Sequence, residues 1–345
     1  MFRIKQVAED FVVDEDYQFP SVKPGQYSYF ILRKSGMTTH RAVELIAERA
    51  FVPGKSVGYA GLKDKAAVTS QLVSVRGVGK RFAEMRIPGI SLEFVGTGDT
   101  PLTLGLLKGN RFRIAVRNLG DKDCSRLAQR AALLERMEFR FPNYFGSQRF
   151  GSANHLVGRA IVSGDFRAAV EGAMIKGSDS HLSHHPNDYV GSLKSAGRRM
   201  LSLYVHSFQS LLFNEALAGL CRQMNCFSCS YSAGSYFFPD ALEPWGMIPL
   251  VGFATELHEY PQEVNHAVES VLAGHGIRLS DFIIRSIPLL SCEGSERAAY
   301  ASACGFRMEF AEDELNSGMR KCVLRFSLGK GSYATVLLDF LLQPK

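Results

Sequence analysis

The C-terminal segment constrains the fold most strongly, because it reads as sheet-forming sequence far from most other strand-like segments. It runs MRKCVLRFSLGKGSYATVLLDFLL, residues 319–342, and its apolar and polar side chains alternate as in a half-buried strand that needs a neighbour. The other segments of this kind lie mostly before residue 120, as in EDFVVDED, YSYFILRK and RFRIAVRNL. Residues 152–298 instead carry helical patterns broken by polar stretches. We therefore predict an α+β fold in which both chain ends build one domain and the middle is inserted.

The length agrees with this division. A chain of 345 residues is long enough for two domains on the usual prior of roughly 150 residues each. We place the discontinuous domain at residues 1–151 plus 299–345 and the inserted domain at residues 152–298. Within the first domain, THRAVELIAERA predicts a helix with Thr38 or Thr39 at its N-cap, stopped by Pro53 and Gly54.

Composition narrows the functional classes. The net charge of +6 is compatible with a polyanionic partner without proving one. No apolar run approaches the roughly 20 residues of a transmembrane helix, and the N-terminus lacks the apolar core of a signal peptide. We therefore predict a cytoplasmic protein with no membrane partner.

The seven cysteines argue against a disulfide framework, because their number is odd and their spacing does not repeat. Cys226 and Cys229 form a C-x-x-C pair, but no second ligand pair follows at the spacing of a zinc site. We predict no metal site and buried free thiols.

Two glycine-lysine segments, VPGKS and GVGKR, invite a phosphate-loop interpretation. The first has Arg49 where the pattern needs its leading glycine, and the second has Arg81 where it needs Ser or Thr. The zinc-protease motif H-E-x-x-H and the dinucleotide-binding fingerprint G-x-G-x-x-G are also absent from the sequence. The common nucleotide and hydrolase chemistries thus lose their best support.

Four short segments combine polar groups with aromatics and glycines. They are GLKDKAAVTSQ, LKGNRF, PNYFGSQRFG and KGSYAT. Singly, each has a structural explanation: Asn110 suits a turn, Phe112 suits a core, and Tyr333 suits a strand end.

In this order, together with EDFVVDE and SFQSLLFN, these segments resemble the TruD family of tRNA pseudouridine synthases over nearly the full length of the chain. The resemblance implies a pseudouridine-synthase-like catalytic domain with a mixed, largely antiparallel β-sheet and flanking helices. It also implies that the insert is the family's second, TRUD-type α+β domain.

The resemblance implies an enzyme that isomerises a uridine in RNA to pseudouridine without a metal or organic cofactor. The essential aspartate of the family falls on Asp64. A carboxylate there attacks the ribose as a nucleophile or removes a ribose proton, and sequence leaves both roles open. Of the flanking Lys63 and Lys65, we expect at most one to face Asp64 and the other to meet phosphate, because adjacent residues on an extended path point to opposite faces.

The target uridine must be extruded from folded RNA, and flipped bases are held by stacking and by hydrogen bonds to the base edge. By resemblance, Phe112 is the stacking ring and Asn110 a polar positioner. Glu9 matches a family acid near the site, with a structural salt bridge as the alternative. The other implied site residues are Tyr333 lining the pocket, Arg149 at a phosphate, and Gln71 and Phe150 as supports.

The resemblance also names the partner. Bacterial members act on uridine 13 of tRNA, whereas relatives elsewhere have wider targets, so tRNA is the expected substrate and other structured RNA stays open. In the insert, Lys194, Arg198 and Arg199 either grip the RNA backbone or lie in an exposed polar loop. No obligate protein partner is indicated. The alternative function is a catalytically silent RNA-binding protein or RNA chaperone on the same fold, against which the intact Asp64, Asn110 and Phe112 argue.

Overall fold

The structure, a computed structural model, describes residues 2–17, 23–103, 105–173 and 178–342. In chain order its strands are β1 (Arg3–Ile4), β2 (Phe11–Tyr17), β3 (Tyr27–Lys34), β4 (Val57–Tyr59), β5 (Val68–Arg76), β6 (Ile90–Gly98), β7 (Leu107–Leu119), β8 (Arg140–Pro142), β9 (Cys226–Tyr231), β10 (Gly234–Pro239), β11 (Met247–Leu250), β12 (Ser295–Ala298), β13 (Tyr300–Ser302), β14 (Cys304–Glu312) and β15 (Arg320–Gly329). Its helices are α1 (Thr39–Ala50), α2 (Asp121–Arg136), α3 (Asn154–Val162), α4 (Phe166–Ala173), α5 (Ser178–His184), α6 (Tyr189–Ser195), α7 (Arg198–Arg222), α8 (Gln262–His275) and α9 (Ala334–Leu342).

The chain divides into two compact units. The sheet unit comprises Met1–Ala132 and Ser302–Ala334, and the central unit comprises Leu133–Ala301 and Thr335–Lys345. The N-terminal part of the chain and the segment Ser302–Ala334 thus lie in one unit, whereas the last residues, from Thr335 onward, belong to the other. The domain limits expected from sequence, at residues 151 and 299, stay a prediction.

The sheet unit is built on a nine-stranded sheet among the described residues, with the order β14-β15-β7-β2-β5-β3-β6 and with β1 on β7 and β4 on β5. Strands β2 and β5 run parallel, and the other described pairs of this sheet run antiparallel. The C-terminal strand β15 pairs along β7, from Arg320 opposite Leu119 to Gly329 opposite Gly109. The α+β fold, the mixed sheet and the distant partner of the C-terminal strand are therefore confirmed.

Register in this sheet decides which side chains share a face. Glu15 lies opposite Asn110, and Val13 lies opposite Phe112. Because directly opposed residues point to the same side of a sheet, Glu15, Asn110 and Phe112 share one face. Phe11, Val13 and Glu15 are all buried, so the alternation of β2 carries a carboxylate into the interior.

Helix α1 packs beside the same sheet for reasons visible in its sequence. The Thr38 hydroxyl accepts a hydrogen bond from the Arg41 amide at 3.2 Å and caps the first turn, as predicted. Ala42, Val43 and Ile46 are buried in a core with strands β3 and β5. The helix ends at Phe51, whose φ of 54° lies in the left-handed region.

The strand-like interpretation of the chain end is wrong for residues 334–342, which form helix α9. Its side chains are buried nearly all round, including Val336, Leu337 and Phe340. A short apolar segment carries no clear period, so alternation alone cannot separate a buried helix from a buried strand. The turn before it uses Gly331 at a φ of 83°.

The central unit is organised around the 25-residue helix α7, which is buried along most of its length. Helix α3 crosses it closely at Gly158, where a Cβ would meet the Tyr204 carbonyl oxygen at 2.0 Å. Any larger residue at 158 would push the two helices apart. No helix among the described residues is both long and apolar enough to cross a membrane.

The cysteines are free thiols, and four of them are buried. Burial raises the pKa of Cys221, Cys229 and Cys322 to about 12 in each case. Because the thiolate is the reactive form, these three are inert core residues at neutral pH.

Candidate active site

Asp64 lies on the loop between β4 and β5, and its backbone and side chain are held separately. Its Oδ2 accepts a hydrogen bond from Lys5 Nζ at 2.9 Å, and its carbonyl oxygen accepts one from Lys34 Nζ at 3.0 Å. The carboxylate keeps 40% of its surface exposed. The loop therefore presents an anchored carboxylate that a ligand can reach.

Lys5, which directly follows β1, is the cationic partner of Asp64. Its ammonium also lies 4.2 Å above the centroid of the Phe11 ring, a cation–π contact. Lys5 has a φ of 63°, a left-handed conformation that is uncommon outside glycine. Lys5 and Asp64 are 59 residues apart in the sequence. The pairing of β1 with β7 brings Lys5 next to Asp64.

Lys34 anchors the loop of Asp64 from the protein interior. It is 2% exposed and donates to the carbonyl oxygens of Met37, at 2.7 Å, and Asp64. Burial lowers the pKa of Lys34 to about 8, the nearby charge of Asp64 acts to raise this pKa, and that of Lys63 acts to lower it. A buried ammonium is thus held next to the catalytic candidate.

Lys63 is buried and turned toward Glu15. Its Nζ donates to Glu15 Oε1 and to Asn110 Oδ1, each at 2.9 Å. The other carboxylate oxygen, Glu15 Oε2, accepts from the Leu72 amide at 3.1 Å. The structure thus gives Lys63 partners other than Asp64, while Lys65 is exposed.

A second set of hydrogen bonds ties the loop to α1 and β5. The Lys63 amide donates to Thr39 Oγ1 at 2.9 Å, and Thr39 Oγ1 donates to Gln71 Oε1 at 3.0 Å. Gln71 Nε2 donates back to the Gly61 carbonyl oxygen at 3.0 Å. Gln71 therefore ties the loop to β5, and its role in supporting a catalytic site stays a prediction.

Phe112 lies on β7, half-buried, two residues from Asn110. Its ring stacks on Phe326 with centroids 5.2 Å apart and meets Phe11 edge-on at 6.4 Å. Phe11 in turn lies under Lys5. A continuous chain of contacts thus links the Phe112 ring to the salt bridge of Asp64.

The other predicted site residues are Glu9, Tyr333, Arg149 and Phe150. The Glu9 side chain is exposed, and the buried acid beside it, Asp10, forms the salt bridge, with Arg117 at 2.7 Å. Tyr333 is half-buried just before α9. In the central unit, Arg149 Nε donates to Ser210 Oγ at 3.1 Å, and Phe150 is buried.

The basic residues expected to grip RNA or to lie in a polar loop are helical. Lys194 is near the end of α6, and Arg198 and Arg199 open α7; all three are exposed.

Sequence reasoning missed Lys5, Lys34, Thr39 and Glu15. Only Glu15 left a usable signal, because it continues the apolar alternation of Phe11 and Val13 and is thereby predicted to point inward. Among the described residues, no three His, Cys, Asp or Glu side chains are grouped so as to hold a metal ion.

Comparisons with known proteins show the family of this chain. The family profile of tRNA pseudouridine synthase D (TruD) matches residues 2–180 and 244–339. A relative from Methanopyrus kandleri, named "Probable tRNA pseudouridine synthase D", is 31% identical, with 95% of this chain and 90% of the relative covered. The tRNA pseudouridine synthase D of Geobacter metallireducens is 29% identical, with 97% and 93% covered.

A solved structure supports the same relationship. The chain matches a crystal structure from Methanosarcina mazei, described as "Putative tRNA pseudouridine synthase D (TruD)", with a TM-score of 0.77 and 27% identity, covering 99% of this chain and 93% of the other. The α+β architecture is therefore shared along the whole chain. This chain belongs to the TruD family of tRNA pseudouridine synthases.

Proposed function

We propose that this protein isomerises a uridine in tRNA to pseudouridine, without a metal or organic cofactor, and that Asp64 is its essential catalytic residue. The observation that carries the proposal is the Asp64 carboxylate, accessible to a ligand and held by Lys5 at 2.9 Å on a loop that Lys34 anchors. Holding a reactive group in a fixed direction lowers the barrier by positioning it before the substrate arrives.

The reaction exchanges one bond to the ribose for another. The N1–C1′ glycosidic bond breaks, the detached uracil rotates, and C5 bonds to C1′. N1 takes up a proton and C5 loses one to solvent. Asp64 either attacks the ribose or removes a ribose proton; in both roles Lys5 fixes the direction of the carboxylate through Oδ2.

Asn110 is suited to hold the detached base. Because a lysine ammonium only donates hydrogen bonds, the Asn110 atom facing Lys63 must be the carbonyl oxygen. The amide NH2 of Asn110 is then the group left to donate, and it matches the carbonyl acceptors of uracil. Lys63 therefore binds substrate indirectly, by setting the orientation of Asn110.

Phe112 is proposed to stack on the flipped uracil. Phe326 supports the ring from within the sheet unit, so the ring is fixed before the base arrives. Stacking of a base on an aromatic side chain contributes about 1–3 kcal/mol. Confinement of the detached base lets it rotate without escaping.

We propose further that uridine 13 of tRNA is the target, as in bacterial members of the family, and that the protein acts in the cytoplasm without an obligate protein partner. Tyr333 and Glu9 are proposed to line the substrate site, and Arg149 to contact the RNA.

Chemical mapping tests the reaction and the position together. Unmodified tRNA transcript is incubated with the protein, treated with a carbodiimide that marks pseudouridine, and read by primer extension. We expect one new stop, at position 13, and none in a transcript with cytidine at 13. Binding of the transcript without any stop would favour the silent RNA-binding alternative, and a stop elsewhere would replace uridine 13 as the target.

A further inference from the structure

The central unit contains a cavity of about 600 Å³. Two segments singled out in the sequence supply part of its wall: PNYFGSQRFG contributes Phe145 and Arg149, and SFQSLLFN contributes Gln209 and Ser210. Arg297 of β12 and the loop 291–295 close it. All of these residues belong to the central unit, so the cavity is complete within that unit.

Both arginines of the cavity are held in place by the protein. Arg297 donates from Nε to the Asn143 carbonyl oxygen at 2.8 Å and from Nη2 to Asn143 Oδ1 at 2.7 Å. Arg149 donates from Nε to Ser210 Oγ at 3.1 Å. Their guanidinium carbons lie 4.1 Å and 5.7 Å from the centroid of one ring, that of Phe145. Their charges are therefore close together and fixed in direction.

The charge of the cavity is positive. Glu293 is the acid among its described lining residues, and it is exposed. His206 adds no charge at neutral pH, because desolvation and the neighbouring Arg149 lower its pKa. Two guanidinium groups held near the same ring favour an anionic ligand.

The uncharged groups of the wall are engaged within the protein, which limits what they can recognise. Gln209 Nε2 donates to the Val251 carbonyl oxygen at 2.7 Å, and Ser210 Oγ donates to the His206 carbonyl oxygen at 2.7 Å. Phe145 is approached by both guanidinium groups and edge-on by Phe213 at 5.6 Å, which disfavours stacking of a base on it. The cavity is thus equipped for a charged group rather than for a nucleobase.

We propose that this cavity binds a backbone phosphate of the RNA substrate, at a nucleotide other than the reacting uridine, through Arg149 and Arg297. Guanidinium groups match phosphate oxygens in charge and in planar, two-pronged geometry. The identity of the ligand as RNA rests on the proposed function. The site fixes the position of the RNA and carries no sequence preference.

The test compares Arg149→Gln with Arg167→Gln, an exposed arginine of the same unit that pairs with Glu171 at 3.0 Å. Binding of tRNA transcript is measured by filter retention from 50 to 300 mM KCl, with catalysis at saturating RNA alongside. We expect Arg149→Gln to weaken binding roughly tenfold and to reduce the slope of log Kd against log salt by about one, as for one lost phosphate contact. Arg167→Gln should change neither the binding, nor the slope, nor the catalytic rate at saturating RNA.

A second variant guards against misfolding. Glu293→Gln removes the exposed acid at the cavity and should tighten binding about two- to threefold without disturbing the interior. An unchanged slope in folded Arg149→Gln overturns the site, as does weaker or equal binding by Glu293→Gln. The experiments test the two proposals separately. If the RNA product contains no pseudouridine, the proposed isomerisation is wrong. A reduced salt dependence of RNA binding in Arg149→Gln would still assign an RNA phosphate to this cavity.

Discussion

Lys63 and Glu15 form a buried ion pair whose disruption should be costly. Their side chains are 5% and 0% exposed, and the carboxylate receives hydrogen bonds from Lys63 and from the Leu72 amide. Removing one partner leaves the other charge buried and uncompensated, which costs about 3–5 kcal/mol. Lys63→Met should therefore destabilise the sheet unit by that amount.

Tryptophan fluorescence cannot report this loss, because the single tryptophan, Trp245, lies in the central unit. Hydrogen exchange of peptides from β5 reports on the sheet unit directly. At 1.4 kcal/mol per factor of ten, the most protected amides should exchange about 100- to 4,000-fold faster in Lys63→Met. The neighbouring exposed lysine supplies the control: Lys65→Met should change exchange by less than about threefold.

The double variant Glu15→Gln, Lys63→Met separates charge from packing. Because no uncompensated charge remains, it should recover about 2 kcal/mol relative to Lys63→Met alone. Strictly additive effects of the two substitutions, or a change below tenfold in Lys63→Met, would show that the pair is not the buried electrostatic contact described above.

Three further outcomes follow from the site. Phe112→Ala should reduce kcat/KM about 10- to 100-fold through lost stacking while Phe112→Tyr stays within about tenfold; equal losses in steady-state assays would exclude a stacking role. Lys5→Met should lower kcat at least tenfold with little change in thermal stability, because its pair with Asp64 is partly exposed, and Lys5→Arg should restore part of the rate; an unchanged kcat would refute the orienting role. The pKa of Lys34 is about 8 in the folded protein, so between pH 8 and 10.5 the folded protein has lost the Lys34 proton that the unfolded chain still holds. The free energy of unfolding therefore rises with pH over this range, by at most about 3 kcal/mol. Denaturant midpoints of Lys34→Met should lack this part of the rise, and parallel pH profiles would contradict it.

The sequence predicts well wherever local chemistry decides. The α1 cap at Thr38 and the need of β15 for a sheet partner follow from capping and from alternation, and both are confirmed. The helix of residues 334–342 cannot be predicted in this way. It forms because the segment is buried among other elements, and a short apolar segment has no periodicity that separates a helix from a strand.

In the candidate site, too, local motifs were predictable and long-range contacts were not. Asp64 was predicted because its motif is specific, whereas its partner Lys5 is brought to it by the pairing of β1 with β7. The flanking Lys63, one of the two lysines that adjacency offered as that partner, pairs with the buried Glu15 instead. Inward-pointing Glu15 was itself predictable from the alternation of β2.

The central claim, that Asp64 carries the isomerisation, is tested most directly by tritium release from tRNA labelled at C5 of uridine. Single-turnover reactions compare the parent protein with Asp64→Asn at RNA-saturating protein concentrations, after filter binding shows that both hold the transcript. We expect stoichiometric release by the parent and none above background by Asp64→Asn. Release by Asp64→Asn at a rate near that of the parent would contradict it.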